Sequence, residues 1–192
     1  MKSILLVLLT LATVPAMSIE TLKYDILEKD NKVEIRRYKE YIAASVSFDS
    51  REEFDRKAFR TLADYIFGNN INMTSPVLTR GEKIGMTSPV LSQEKETRWT
   101  MTFSMPSRYT LESLPRPNNE KIKIKLVDEA VMATIRFSGF MSDSNYKKNE
   151  SKLKGWLDSK SIEYHSNTIR AGYNPPWTLP FFRRNEVLIY LK

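Results

Sequence analysis

Apolar residues recur at every second position from Val33 to Phe48 and again from Ile122 to Phe137. That is the period of a strand with one buried face. The two stretches align without a gap at an offset of 122 − 33 = 89, matching Ile35 with Ile124, Ile42 with Val131, Ala44 with Ala133, Val46 with Ile135 and Phe48 with Phe137. Each copy reads as two strands joined by a tight turn, at Lys39-Glu40 and at Asp128-Glu129. Alternation also marks Arg98 to Met105, Glu186 to Leu191 and, more loosely, Ile162 to Ala171.

After each copy the period changes to that of a helix. Ser50 followed by Glu53 fits a capping box, and Phe54, Ala58, Leu62 and Ile66 then recur every four residues. Gly68-Asn69 supplies the stop. A second helix is expected from Ser142-Asp143, with Tyr146, Leu153, Trp156 and Leu157 on one face and Lys147, Lys148, Lys152, Lys154 and Lys160 on the other. Two units of strands, helix and strands predict an α+β fold in which a curved antiparallel sheet carries two helices. Neither half has enough strand to close a core alone. The expectation is one domain of pseudo-twofold symmetry, with halves at about 19–110 and 111–192 around the loop Leu114–Asn119.

Residues 1–18 read as a secretory signal peptide and stand outside the fold. Lys2 is the positive start, Ile4 to Val14 is an uncharged run too short for a bilayer, and small residues near Ala16 and Ser18 suit cleavage. A periplasmic or secreted protein is expected. The formal charge is 30 − 23 = +7, and it is spread along the chain. Spread charge and export both argue against a nucleic-acid role. The lysine face of the second helix is either a solvated face or a weak contact for an anionic membrane surface or an acidic partner. A monomer is expected.

Cysteine is absent and histidine occurs once, at His165. Disulfides, thiol nucleophiles, thiolate metal sites and two-histidine zinc helices are therefore excluded. No Gly-rich phosphate loop or Gly-x-Ser-x-Gly elbow occurs either. Glu52, Glu53, Asp55 and Asp64 could serve as acids of an enzyme, but on an amphipathic helix such residues usually form the wet face.

Two motifs remain. Met73-Thr-Ser-Pro-Val-Leu78 recurs as Met86-Thr-Ser-Pro-Val-Leu91. The paired methionines either fill core gaps, touch a flat apolar ligand or offer a thioether to iron. The stretch from Gly172 to Val187 carries Tyr173, Trp177, Phe181 and Phe182, stiffened by Pro175, Pro176 and Pro180, with Arg183 and Arg184 interleaved. It reads as a rigid arch, at which the arginines meet a ligand carboxylate or pair with neighbouring acids.

These motifs, with Tyr65-Ile-Phe-Gly68 and Arg183-Arg-Asn-Glu-Val187, resemble the SOUL haem-binding proteins over nearly the whole chain from about Glu20. The resemblance implies a distorted antiparallel β-barrel of two similar halves, each carrying one helix. It implies non-covalent, reversible binding of b-type haem or another tetrapyrrole, for carriage, buffering or sequestration. By position it implicates Arg56, at a propionate, with Phe59, Leu62, Ala63 and Ile66 along an apolar groove. Met73, Met86, Tyr173 and Trp177 complete the expected contacts. His165 is the only histidine that could reach iron, and its alternation places it facing solvent. Two other readings compete: an enzyme that removes metal from a tetrapyrrole, and a small-molecule effector module.

Overall fold

The computed structural model describes residues 19–68 and 83–192. Its elements in chain order are β1 (Glu20–Thr21), β2 (Tyr24–Asp30), β3 (Val33–Tyr38), β4 (Tyr41–Phe48), α1 (Arg51–Ile66), β5 (Thr87–Ser88), β6 (Val90–Lys95) and β7 (Arg98–Ser104). They continue with β8 (Lys123–Val127), β9 (Ala130–Phe137), α2 (Asp143–Ser159), β10 (Tyr164–Gly172), a 3-10 turn (Pro180–Phe182) and β11 (Asn185–Leu191). Nine strands form one antiparallel sheet in the order β2-β3-β9-β11-β10-β6-β7-β4-β8, curled into a half-barrel. β1 and β5 form a separate parallel pair.

The repeated unit breaks at the expected places, 39–40 and 128–129, but not into hairpins. β3 pairs with β2 and β9, whereas β4 pairs with β7 and β8. Each copy thus turns a corner and gives one strand to each half of the sheet, so the two copies interlock. The cause lies in the turn residues. A two-residue hairpin needs backbone at positive φ, which Asn and Gly favour. No residue of Lys39-Glu40 or Asp128-Glu129 adopts it. The positive-φ residues Asn31 and Glu96 instead sit in the hairpin turns joining β2 to β3 and β6 to β7.

Alternation then sorts side chains between the two faces. Against α1 lie Ala44, Val46, Phe48 and Phe103, which meet Phe54, Ala58, Leu62, Tyr65 and Ile66. Against α2 lie Ala133, Ile135, Val187 and Ile189, which meet Tyr146, Leu153 and Leu157. A third cluster gathers Tyr38, Leu91, Met132, Ile169 and Leu188, with Tyr24, Tyr41, Tyr173 and Tyr190 packed on it. In β11, Val187 and Ile189 thus serve the α2 cluster, while Leu188 and Tyr190 serve the third.

Both helices start where the sequence places them. Ser50 accepts a hydrogen bond from the Glu53 amide at 3.5 Å, and Ser142 accepts one from Asn145 at 3.3 Å. Only half of the capping box forms, because the Glu53 carboxylate pairs with Lys57 at 2.6 Å. After α1, Gly68 takes φ +87, the left-handed turn that ends a helix without a Cβ clash.

Candidate functional site

One edge of α1, continued by its C-cap residue, carries a pair of half-exposed aromatics. Phe59 is 45% exposed and Phe67 is 47% exposed. Arg56, Phe59, Arg60, Ala63 and Phe67 share one face, by spacings of three and four. Phe59 and Phe67 stand eight residues apart, about 12 Å along the axis. The Phe59 ring meets Phe103 of β7 edge-on, with centroids 5.5 Å apart. That contact fixes the ring while leaving an open flank.

The cations of this face are weakly held. Arg56 lies 3.7 Å from Glu52 and Arg60 lies 4.0 Å from Asp64, both on the exposed surface. Such pairs contribute little in water. An incoming carboxylate could replace either acid. The acids Glu52, Glu53, Asp55 and Asp64 are each engaged with a basic residue four positions away, so they form an ion-paired wet face.

Leu62 and Ile66 are fully buried between α1 and the sheet and present no surface to a groove. Ala63 is buried too. Met86 is half-buried and packs on the cluster that holds α1. Met73 lies outside the described residues. His165 is exposed on β10, on the face expected. Among the described residues no group of three or more His, Asp or Glu side chains could hold a metal ion.

Tyr173 and Trp177 are placed away from this face. Tyr173 packs on the third cluster, and its hydroxyl donates to Glu186 Oε2 at 2.7 Å. Trp177 is 82% exposed. Around Glu186 lies a network that the pattern of residues gave little reason to expect. Its carboxylate has no solvent exposure and accepts from Arg36 at 2.8 and 3.0 Å and from Arg184 at 2.8 and 3.0 Å. Arg36 is itself buried and also donates to Glu34 at 2.8 Å and to the Tyr38 hydroxyl at 3.0 Å. Two arginines and two carboxylates cancel in charge.

Burial acts to raise the Glu186 pKa, but the hydrogen bonds and charge of Arg36, with Arg184, outweigh it and hold the carboxyl below its usual range. Burial pushes Tyr38 up to about 12 and Tyr173 higher still. The buried acid is therefore ionised and fully paired, which suits a structural clamp rather than proton transfer. In the sequence it is marked only by a glutamate in register with Leu188 and Tyr190 of a largely apolar strand.

The arch is held by its own groups. The Asn174 side chain accepts from the Arg184 amide at 2.6 Å, and Arg183 donates to the carbonyls of Thr178 and Pro176 at 2.8 and 2.5 Å. The Gly139 amide donates to Pro180 at 2.8 Å, which ties the arch to the segment before α2. Arg184 pairs with an acid, while Arg183 braces the arch backbone instead. Among the described residues the cis peptide bond is Ser88-Pro89, outside the arch.

Solved structures share the fold at low identity. A hydrolase from Listeria innocua has a TM-score of 0.57 at 14% identity, covering 86% of this chain and 94% of that one. The C-terminal domain of EcmrR has a TM-score of 0.55 at 10% identity, covering 88% and 98%. SAV2435, solved bound to tetraphenylphosphonium, has a TM-score of 0.50 at 5% identity, covering 89% and 94%. No curated protein matches the sequence. The sequence pattern described as SOUL heme-binding protein matches residues 19–190, which reaches into every described element. This chain belongs to the SOUL haem-binding protein family.

Proposed function

We propose that the protein binds haem or a related tetrapyrrole reversibly and without a covalent bond, on the outer face of α1, to carry, buffer or sequester it. The observation that carries this reading is the pairing of two open aromatic rings, Phe59 and Phe67, with two weakly held arginines, Arg56 and Arg60, on one helical face. A tetrapyrrole is apolar across its plane and anionic at one edge. It gains from burying its plane against rings and from placing propionates on guanidinium groups. The residues present fit that chemistry. Ala63 adds no bulk beneath the plane, and Met86 packs on the cluster below the helix.

Weak axial ligation, or none from histidine, accords with His165 standing on β10. It suits carriage rather than oxygen or electron chemistry. The family is a binding family, and the paired acids of α1 offer no open acid and base for a metal-removing enzyme. An effector module for an apolar cation, the ligand class of SAV2435, is less well supported. The buried acid here is already held by two arginines.

The test is a hemin titration of the chain from Ile19, read by the Soret band. Phe59→Ser and Arg56→Glu are each expected to weaken a saturable one-to-one complex by about tenfold, the scale of one lost ion pair or one lost ring contact. His165→Ala is expected to bind as the parent does. Loss only in His165→Ala moves the site to β10 and ends the α1 assignment. The absence of any saturable complex ends the carriage reading.

A further inference from the structure

Among the described residues, the most exposed large apolar side chains lie on the arch. Trp177 is 82%, Phe182 71% and Phe181 64% exposed, and Phe140 and Leu179 are also open. The Phe181 and Phe182 rings are tilted against each other at 55°, with centroids 4.4 Å apart. Phe140 joins them through Arg183, whose guanidinium lies 5.1 Å over its ring, and through the Gly139 to Pro180 hydrogen bond. Prolines and the Arg183 brace hold the backbone, so the rings project from a stiff tip rather than a collapsing loop.

Beside the arch runs a basic cleft. A hollow of about 210 Å³ is lined by Lys29, Lys32, Arg36, Arg136 and Arg184 against the single acid Glu34. Arg184 belongs to both features, since its amide bonds to Asn174 of the arch and its side chain lines the cleft. Arg36 and Arg184 are occupied by Glu186, and Lys29 by Glu34. Among the described residues Lys32 and Arg136 have no carboxylate within ion-pair distance. At the other flank, Phe140 stands just before α2, whose early turns expose Lys147 and Lys148.

We propose that the arch docks the protein onto an anionic bilayer, with Trp177, Phe181 and Phe182 entering the interface and Lys32 and Arg136 meeting lipid phosphate. Aromatic rings settle at the headgroup level, and nearby cations add attraction to anionic lipid. A tip suits a bilayer, which yields to it. A rigid protein partner would need a matching hollow. The net charge of +7 works in the same direction. The rings of the arch lie outside the core cluster that holds α1. The inference does not depend on tetrapyrrole binding.

The experiment is co-sedimentation of the chain from Ile19 with vesicles of phosphatidylcholine alone and of an equal mixture with phosphatidylglycerol. That chain holds every described element. The parent is expected to prefer the anionic vesicles. Trp177→Ser/Phe181→Ser/Phe182→Ser is expected to reduce binding by about tenfold or more, because three interfacial rings are lost. Lys32→Glu/Arg136→Glu is expected to abolish the lipid preference. All five positions are open or half-open, so the fold should persist, checked by thermal melting. As a second readout on the unaltered chain, brominated lipid is expected to quench the tryptophan emission. No binding to either vesicle overturns the proposal. So does equal binding by parent and arch variant, or self-association that the arch variant removes while lipid binding is absent.

Discussion

Replacing Glu186 with glutamine tests the buried clamp, because the side chain keeps its shape and loses its charge. The carboxylate receives five hydrogen bonds, four from guanidinium groups and one from Tyr173. A glutamine offers one acceptor oxygen and turns two N–H donors towards donors. Arg184 is partly exposed and can swing to water, but Arg36 is only 3% exposed and would stay buried with Glu34, which it shares with Lys29, as its one remaining carboxylate. Removing one partner of a buried ion pair costs about 3–5 kcal/mol. For a domain of this size that corresponds to a fall in Tm of roughly 10 °C. The assay is thermal melting by circular dichroism at neutral pH, repeated towards pH 3.

The pH series carries its own sign. The carboxyl of Glu186 titrates below its ordinary value in the folded state. Its stabilisation is therefore complete above the unfolded value of about 4.3 and is lost as pH falls through the lower folded value. The parent should lose stability on that limb, and the gap to Glu186→Gln should narrow. A melting point within about 2 °C of the parent, or a gap that ignores pH, would refute the clamp, since either result is far from the cost of a broken buried pair.

Other outcomes follow from burial and capping. Leu62→Ala and Phe59→Ala lie on one helix but should separate in urea unfolding. The first, fully buried, is expected to cost about 2–5 kcal/mol, and the second, with its ring half in solvent, about 1 kcal/mol or less. Ser50→Ala removes the α1 cap and should cost about 1 kcal/mol in the same assay. Trp156→Phe deletes the indole bond to Asp30 at 2.8 Å, which ties α2 to β2, and should lower stability by about 1 kcal/mol in thermal melting.

The hydrophobic period located β3, β4, β8 and β9 and both helices closely, because one buried face per element is a local property of the chain. Partnering was less legible. Lys39-Glu40 looks like a hairpin turn by length, yet only the backbone conformation shows that it is a corner. The same limit governed the site. Leu62 and Ile66 share the apolar stripe with Phe59, and their depth depends on Phe103 and its neighbours across the sheet. Tyr173 looked like a ligand contact in an aromatic run. Its partner Glu186 lies 13 residues on, and the Arg36 that completes the network lies 150 residues from Glu186. Long-range pairing of that kind leaves no trace in spacing. The motifs carried the family directly, and the partial exposure of Phe59 accords with a core stripe that Phe54, Ala58 and Leu62 already fill.

A tetrapyrrole bound on the outer face of α1 would shield that helix from solvent. Amide hydrogen exchange of the chain from Ile19, with and without stoichiometric hemin, tests it most directly. Slower exchange is expected from Arg51 through Phe67, strongest near Phe59 and Phe67. Protection confined to the arch or to the Glu186 network, or none anywhere, would contradict it.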